Sequence, residues 1–427
     1  MILAAIVIVG LALLGMPLFA VIAAVALLGF YSNDVDLSVV AIELYRIVDS
    51  PVLVAIPLFT FVGYLLSESQ ASHRLVRLTN AFLGWLPGGH AIVALVACAV
   101  FTALTGASGV TIIAIGGLLL PALLEAGYRE RFTLGLLTSS GSLGLLFPPS
   151  IVLIIYAVIA QQLNLGQPVS IDDMFFAGLL PGLLMVGLLS IYGILVGWRA
   201  ESATKGFSWR EAAGAVREAI WEIPLPIIVL GGIYSGLFAA SEAAAVSVVY
   251  VLIVEVFIYR DIPLRELPRV MRESMTVVGG VLIILGMALA STNFLIDAEV
   301  PMRLFDYVRM HVDDKLTFLI LLTGFLIVVG MVLDIFSALI LIVPLILPIA
   351  VSYGIHPVHL GILFLANMQL GYFTPPVGMN LFIASYRFKR SVGELAGASF
   401  PFFMILLVAV LLITYWPDLS LRLLRDS

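Results

Sequence analysis

Apolar stretches of ~20 residues recur along this chain of 427 residues, each long enough as a helix to cross a ~30 Å hydrocarbon core. Two regions carry the same interruption. Ser142-Leu143-Gly144-Leu145-Leu146-Phe147-Pro148-Pro149-Ser150 recurs in outline as Gln369-Leu370-Gly371-Tyr372-Phe373-Thr374-Pro375-Pro376-Val377, inside otherwise apolar sequence. Paired prolines remove backbone donors and clash with the preceding turn, so each helix is expected to open there and leave carbonyls unpaired in mid-membrane. Breaks at matching places in two halves of a chain point to a transporter's binding site.

The chain is 62% hydrophobic and only 11% charged, with a mean hydropathy of +1.16, against roughly 25% charged in a soluble domain. It reads as an all-α polytopic membrane protein. A β-barrel is excluded, because barrel strands alternate over ~10 residues whereas these runs stay apolar. Met1 to Met16 look like the apolar region of a signal peptide, but they lack Lys and Arg and continue apolar to Tyr31, which predicts a retained span. The single Cys98 forms no intrachain disulfide, and no Cys/His spacing suits zinc, so neither staples nor a transition-metal site is expected. A net charge of -6 argues against nucleic acid. No G-x-x-x-x-G-K-[ST] run is present to power transport with ATP.

Spans are predicted near 2–31, 51–69, 177–198, 223–239, 241–259, 275–296 and 399–416. Two further units are predicted to be re-entrant hairpins. Residues 90–125 turn at Thr105-Gly106-Ala107-Ser108-Gly109, and 316–347 turn at Gly330-Met331-Val332-Leu333-Asp334; legs of ~15 residues reach only about 22 Å. A broken helix follows each, at 131–161 and 358–386. Pro121 and Pro348, Gly127 and Gly354, Gly144 and Gly371, and the two proline pairs all share one offset, so the two units form an internal repeat. An odd number of crossings between the hairpins predicts an inverted repeat, with one hairpin entering from each side.

Charge supplies a second reading of topology. With a cytoplasmic N-terminus and a periplasmic C-terminus, the connections at 70–86, 128–132, 199–222, 260–274 and 387–398 are cytoplasmic and hold fifteen of the 21 Lys and Arg, as the positive-inside bias requires. Arg265, Arg269 and Arg272 fall on one helical face, and Arg210 and Arg217 lie seven apart beside Trp209 and Trp221. These connections read as amphipathic helices resting on anionic lipid.

Small polar residues gather at both tips and breaks. The first half offers Thr105, Ser108, Ser139, Ser140 and Ser142; the second offers Asp334, Ser337, Asn367, Gln369, Thr374 and Asn380. Hydroxyls, amide oxygens and freed carbonyls suit a dehydrated alkali cation, while helix N-termini suit an anion. Thr105, Asn367, Thr374 and Asp334 are candidate cation ligands. Ser108 is a candidate for both cation and substrate, and Ser139, Ser140, Ser142, Ser337, Gln369 and Asn380 for substrate. The competing reading is close helix packing, for which Ser, Thr and Gly are also used; it is favoured for any one serine and disfavoured for both clusters together. Asp334 is the acid predicted deepest in the membrane, either binding a cation or capping the hairpin turn. Glu242 is expected to start a helix, and Glu255 to reach water. Gly106-Ala107-Ser108-Gly109 also fits a G-x-S-G serine nucleophile, but all five histidines fall at span ends or connections, which disfavours a protease.

Gly106 to Thr111, Leu143 to Ser150, Gly232-Ile233-Tyr234-Ser235-Gly236 with Glu242-Ala243-Ala244-Ala245, and Gly371 to Asn380 together resemble the large membrane subunit, DctM type, of tripartite ATP-independent periplasmic (TRAP) transporters. The resemblance covers essentially the whole chain. It implies an inverted-repeat elevator architecture in a bacterial inner membrane and usually Na⁺-driven import of an organic acid. It also implies two partners, a small four-helix membrane subunit and a periplasmic substrate-binding protein. Related sodium-dicarboxylate symporters place cations at hairpin tips and helix breaks, which carries over to Gly106, Ser108, Gly144, Asp334, Asn367 and Pro375. Ala239-Ala240-Ser241 departs from the Thr-Pro-Thr expected before Glu242, so no special role carries over to that turn. The small subunit is expected as a separate polypeptide. A moving domain of 89–198 and 315–427 on a scaffold of 1–88 and 199–314 is the expected organisation, with a stand-alone sodium-carboxylate symporter as the alternative.

Overall fold

Among the described residues most of the apolar runs are helical, the paired prolines interrupt two of them, and short turns join the helices. The computed structural model describes residues 7–8, 10–11, 14, 16–33, 35–48, 51–86, 88–163, 169–199, 206–312 and 314–424, with no strand among them. The start of the first predicted span lies outside these. First come α1 (Leu18–Ser32), α2 (Ser38–Val48), α3 (Ala55–Glu68) and the amphipathic α4 (Ala71–Leu83). The first repeat holds α5 (Gly89–Thr105), α6 (Ser108–Glu125), α7 (Glu130–Ser140), α8 (Ile151–Gln162) and α9 (Ile171–Arg199). Next are α10 (Trp209–Glu218), α11 (Pro224–Tyr234), α12 (Ala240–Leu252), which continues in wider turns to Ile258, α13 (Leu267–Asp297) and α14 (Val300–His311). The second repeat holds α15 (Lys315–Val332), α16 (Ile335–Ser352), α17 (Pro357–Gly371), α18 (Met379–Phe388) and α19 (Val392–Tyr415), before the short α20 (Asp418–Leu421).

Among the described residues, seven helices are long and apolar enough to cross a membrane, or eight when α7 and α8 count as one span bent by 44°. This is a polytopic membrane protein. The hairpin legs are longer than the sequence suggested, at 17 to 18 residues, so their length of about 26 Å does not by itself forbid crossing. Their geometry makes them hairpins.

Each hairpin closes at its base. Lys315 Nζ donates to Gly354 O at 2.9 Å, Tyr353 OH to Val312 O at 2.7 Å, and the Phe318 and Tyr353 rings stack at 4.5 Å. At the first base, Gly197 abuts both Gly88 and Tyr128: a Cβ there would lie 2.6 Å from Gly88 Cα and 2.7 Å from the Tyr128 hydroxyl. The two bases occupy opposite faces. The 24-residue α19 begins where Arg131 donates to Gly397 O (3.1 Å) and Arg390 pairs with Glu130, and it ends where His359 meets Ser420 (3.2 Å) and Thr414 O (3.4 Å). One end of α19 therefore neighbours the first hairpin's base and the other neighbours the second's, as an inverted repeat demands.

The repeats also interlock. α6 packs on α18 and α16 on α8, so the second leg of each hairpin lies against the far limb of the other broken helix; α7 likewise packs on α19, and α9 on α17. Several span boundaries differ from the reading, with α9 beginning six residues early at Ile171 and α19 seven early at Val392. α11 stops at Tyr234, where Gly236 adopts φ +74°, and α13 begins eight residues early at Leu267, leaving Arg265 outside the helix. Glu242 does start α12, accepting from Ala239 N at 2.9 Å. Glu255 does not reach water: it is fully buried, its Oε2 bonded to Arg74 at 3.0 Å across 181 residues of sequence. The connections that charge counting put on one side are joined to each other, with Arg74 reaching Glu222 and Asp261, Arg77 reaching Glu211 and Glu218, and Arg269 reaching Glu68.

Candidate functional site

The first tip forms because α5 can end only at a residue free to turn left-handed. Gly106 does so at φ +67°, donating its N–H to Thr102 O at 2.8 Å. Ala107 follows in extended conformation and offers no side-chain cap, so the opening amides of α6 at Ser108 have no side-chain acceptor from it. Thr102 Oγ1 donates to Gly141 O at 2.9 Å and shares a 2.6 Å hydrogen bond with Thr111, tying both legs to the point where α7 opens. A 3₁₀ turn at Leu143–Leu146 then leads to the cis Pro148-Pro149 bond and α8. Gly144 lies directly on α5: a Cβ there would sit 2.2 Å from Ala99 O and 2.5 Å from Ala103 N. Behind the tip, Gly63 of α3 touches the Thr105 backbone, with a Cβ position 2.7 Å from Thr105 Cα.

The second tip repeats this with a carboxylate added. Asp334, half-buried, is the N-cap of α16; its Oδ1 accepts from Phe336 N and Ser337 N, each at 3.0 Å, and its Oδ2 accepts from Ser337 Oγ. Capping is thus an observed role of Asp334. The tip rests on the second break through Gly330 and Gly371, where a Cβ on Gly371 would lie 2.5 Å from both Cα and C of Gly330. Ile335 N donates to Tyr372 OH at 2.6 Å, and Gly378 N to Met331 O at 2.9 Å. Pro375-Pro376 is cis, like its counterpart. Replacing Tyr372 with Phe strands the buried Ile335 amide, and thermal unfolding of the purified protein should show a loss of about 1 to 2 kcal/mol with the fold kept.

The candidate residues divide by what their polar atoms do. Thr105 donates to Phe101 O (2.9 Å), Ser139 to Gly135 O (2.8 Å), Ser140 to Leu137 O (3.5 Å) and Thr374 to Leu370 O (2.6 Å); these back-bonds use the proton and leave oxygen lone pairs over. Other atoms are buried with no protein partner: Ser142 Oγ, Asn367 Oδ1, Asn380 Oδ1, and both Oε1 and Nε2 of Gln369. Unpaired polar atoms at this depth are expensive unless a ligand or water meets them. Asn367 Nδ2 is fixed by Leu363 O at 2.8 Å, and Asn380 Nδ2 reaches Thr138 O at 3.3 Å, joining the second break to the first half. Gly109 and Ile383 also meet across the halves. No histidine hydrogen-bonds Ser108 among the described residues.

Sequence reasoning missed Thr102, Thr111, Ser150 and Tyr372. The two threonines face each other across the tip, and their near-equal distance in sequence from Gly106 was a usable sign. Ser150, with its buried Oγ unpaired, directly follows the proline pair at the start of α8.

Two oppositely facing hairpins that each rest on a proline-broken helix, with unpaired polar atoms buried at the joints, define a helical membrane protein built on transporter lines. A solved structure of the Alcanivorax borkumensis YdaH transporter has this fold, with a TM-score of 0.59 at 16% identity over 88% of this chain and 86% of that one. The sequence model of the DctM component of tripartite ATP-independent periplasmic transporters matches residues 3–419. Among curated relatives, the C4-dicarboxylate TRAP transporter large permease proteins DctM of Rhodobacter capsulatus and Pseudomonas aeruginosa are 34% and 36% identical, covering 92% and 90% of this chain and 91% and 88% of their own lengths. The ectoine/5-hydroxyectoine TRAP transporter large permease protein of Ruegeria pomeroyi is 31% identical over 97% of this chain and 96% of its own. The chain belongs to the DctM family of TRAP transporter components.

Proposed function

We propose that this chain is the permease subunit of a Na⁺-coupled, binding-protein-dependent importer of an organic acid in a bacterial inner membrane, working by an elevator movement. The observation that carries the reading is the pair of joints where Gly144 lies on α5 and Gly371 on Gly330, next to which in sequence Ser142, Asn367 and Gln369 hold buried oxygen atoms without protein partners. Hard, uncharged oxygens suit an alkali cation. In this reading Thr105, Gly106, Ser108 and Gly144 serve one cation, and Asp334, Asn367, Thr374 and Pro375 another. Ser108, Ser139, Ser140, Ser142, Ser337, Gln369 and Asn380 face the carboxylate substrate.

Residues 89–198 and 315–427 form the moving body, and 1–88 with 199–314 the scaffold. Bound cations compensate Asp334 and order the tips, so the loaded body crosses with its charge covered, whereas partly loaded states expose charge to lipid. A four-helix membrane subunit and a periplasmic binding protein complete the system. Relatives named for C4-dicarboxylates support an organic acid as the solute.

The test is uptake of C4-dicarboxylate by proteoliposomes holding this chain and its small subunit. Uptake should require both an inward Na⁺ gradient and the binding protein. Full uptake without binding protein would make the chain a stand-alone symporter, and uptake indifferent to Na⁺ would overturn the coupling.

A further inference from the structure

The densest charged group outside the two joints lies where α4, the α10–α11 turn and the end of α12 converge. Arg74, only 6% exposed, pairs with three carboxylates: Glu222, Glu255 at 3.0 Å and Asp261 at 2.8 Å. One guanidinium therefore faces three acids. The Tyr259 ring covers it at 3.9 Å, and the Tyr259 hydroxyl donates to Glu218 O at 2.6 Å. Arg77, one turn on, is committed to Glu211 and Glu218, and the Tyr250 hydroxyl donates to Trp221 O at 2.7 Å. Gln70 N supplies Asp261 Oδ2 with a second donor at 2.9 Å.

Two carboxylate oxygens are left over. Glu255 is fully buried, and its Oε1 has no hydrogen-bond partner; neither has the buried Oε2 of Glu222. Ser69 Oγ lies within reach of the Glu255 carboxyl, but its proton is directed to Leu66 O at 3.1 Å while its oxygen accepts from Ala71 N. A buried acid with an unshared negative oxygen and no second cation is an expensive arrangement. A proton relieves it twice, removing charge and turning an orphaned acceptor into a donor.

We propose that Glu222 and Glu255 share a bound proton, making this junction a protonation site separate from the transport joints, whose deprotonation loosens the brace on α4. Because the two acids lie on one guanidinium, the proton belongs to the pair rather than to either residue. Burial pushes the Glu222 carboxyl up to about 7, with Asp261 and Glu218 adding to the rise and Arg74 opposing it. The consequence for the fold is specific, since α4 leads straight into α5, the first leg of the first hairpin. This inference does not depend on the transport reading.

A carboxyl held above its ordinary range binds its proton more tightly folded than unfolded, so its stabilisation is whole below about pH 4.5 and is lost as pH rises through about 7. The full chain in lipid nanodiscs should show a melting temperature that falls across this window. Glu222→Gln and Glu255→Gln mimic the protonated acid. At least one should flatten the fall and melt above wild type at about pH 8, the folding equilibrium ratio changing by up to about tenfold per pH unit. Glu273→Gln, at an exposed partner of Arg269, should follow wild type. Infrared difference spectra of wild type should show the carbonyl band of a protonated carboxyl that disappears on the same titration. Parallel pH profiles in wild type and both Gln variants, or a titration without that band, would overturn the proposal. The infrared arm decides it if either variant fails to fold.

Discussion

Gly144→Ala and Gly371→Ala should each lower uptake by roughly tenfold or more, because both joints are backbone laid on backbone and a small displacement of a binding geometry is amplified in rate. The added methyl of Gly144→Ala would sit 2.2 Å from Ala99 O, and that of Gly371→Ala 2.5 Å from Gly330 Cα. Neither neighbour is a flexible side chain that can swing aside. Overpacking of this kind costs typically 1 to 3 kcal/mol, so a loss of stability of about that size should accompany the loss of transport. Gly324 supplies the control. It lies on α15, in the same hairpin as Gly330, with nothing within 4 Å of its Cβ position. Gly324→Ala should leave uptake and melting near wild type. If Gly144→Ala transported as well as Gly324→Ala, the close contact of tip and break would have no part in transport.

The breaks were legible because proline acts locally: a missing N–H and a ring clash open a helix whatever surrounds it. Both proline pairs do so here, and Gly106 turns left-handed where the apolar run meets Thr105-Gly106. The inverted arrangement was legible for a similar reason, since crossing parity is a property of the chain in order. Leg lengths were misjudged because the polar residues flanking each tip suggested early helix ends. In the structure Ser108 begins α6 and Lys315 begins α15, and Pro121 stays inside α6. What the sequence hid was partnership across distance. Nothing local to Glu255 announces Arg74, nor does anything near Ile335 announce Tyr372, 37 residues away. The interlock of α6 with α18 and of α16 with α8 is likewise invisible to periodicity, which says which face is apolar and not what covers it.

Asp334 is where the two readings of one residue separate most sharply, and Asp334→Ser separates them. As an N-cap, Asp334 supplies acceptors to Phe336 N and Ser337 N. Serine caps comparably, and even complete loss of a cap costs only about 0.5 to 2 kcal/mol. If capping were the whole role, the Ser variant would fold and transport like wild type, while Asp334→Ala would lose stability and transport together. The expected result is different. Asp334→Ser should keep its melting temperature within a few degrees, yet lose roughly tenfold or more of its Na⁺-driven uptake, because serine brings no charge to hold a cation in low dielectric. The loss should show as a higher Na⁺ concentration for half-maximal uptake, which a capping defect has no means of producing. The proposed role also predicts stabilisation by the ligand. Na⁺ added to wild type should raise the melting temperature by mass action, and the same addition should do less for Asp334→Ser. Wild-type Na⁺ dependence in the serine variant would leave Asp334 as a cap alone and move the second cation to the oxygens of Asn367 and Thr374.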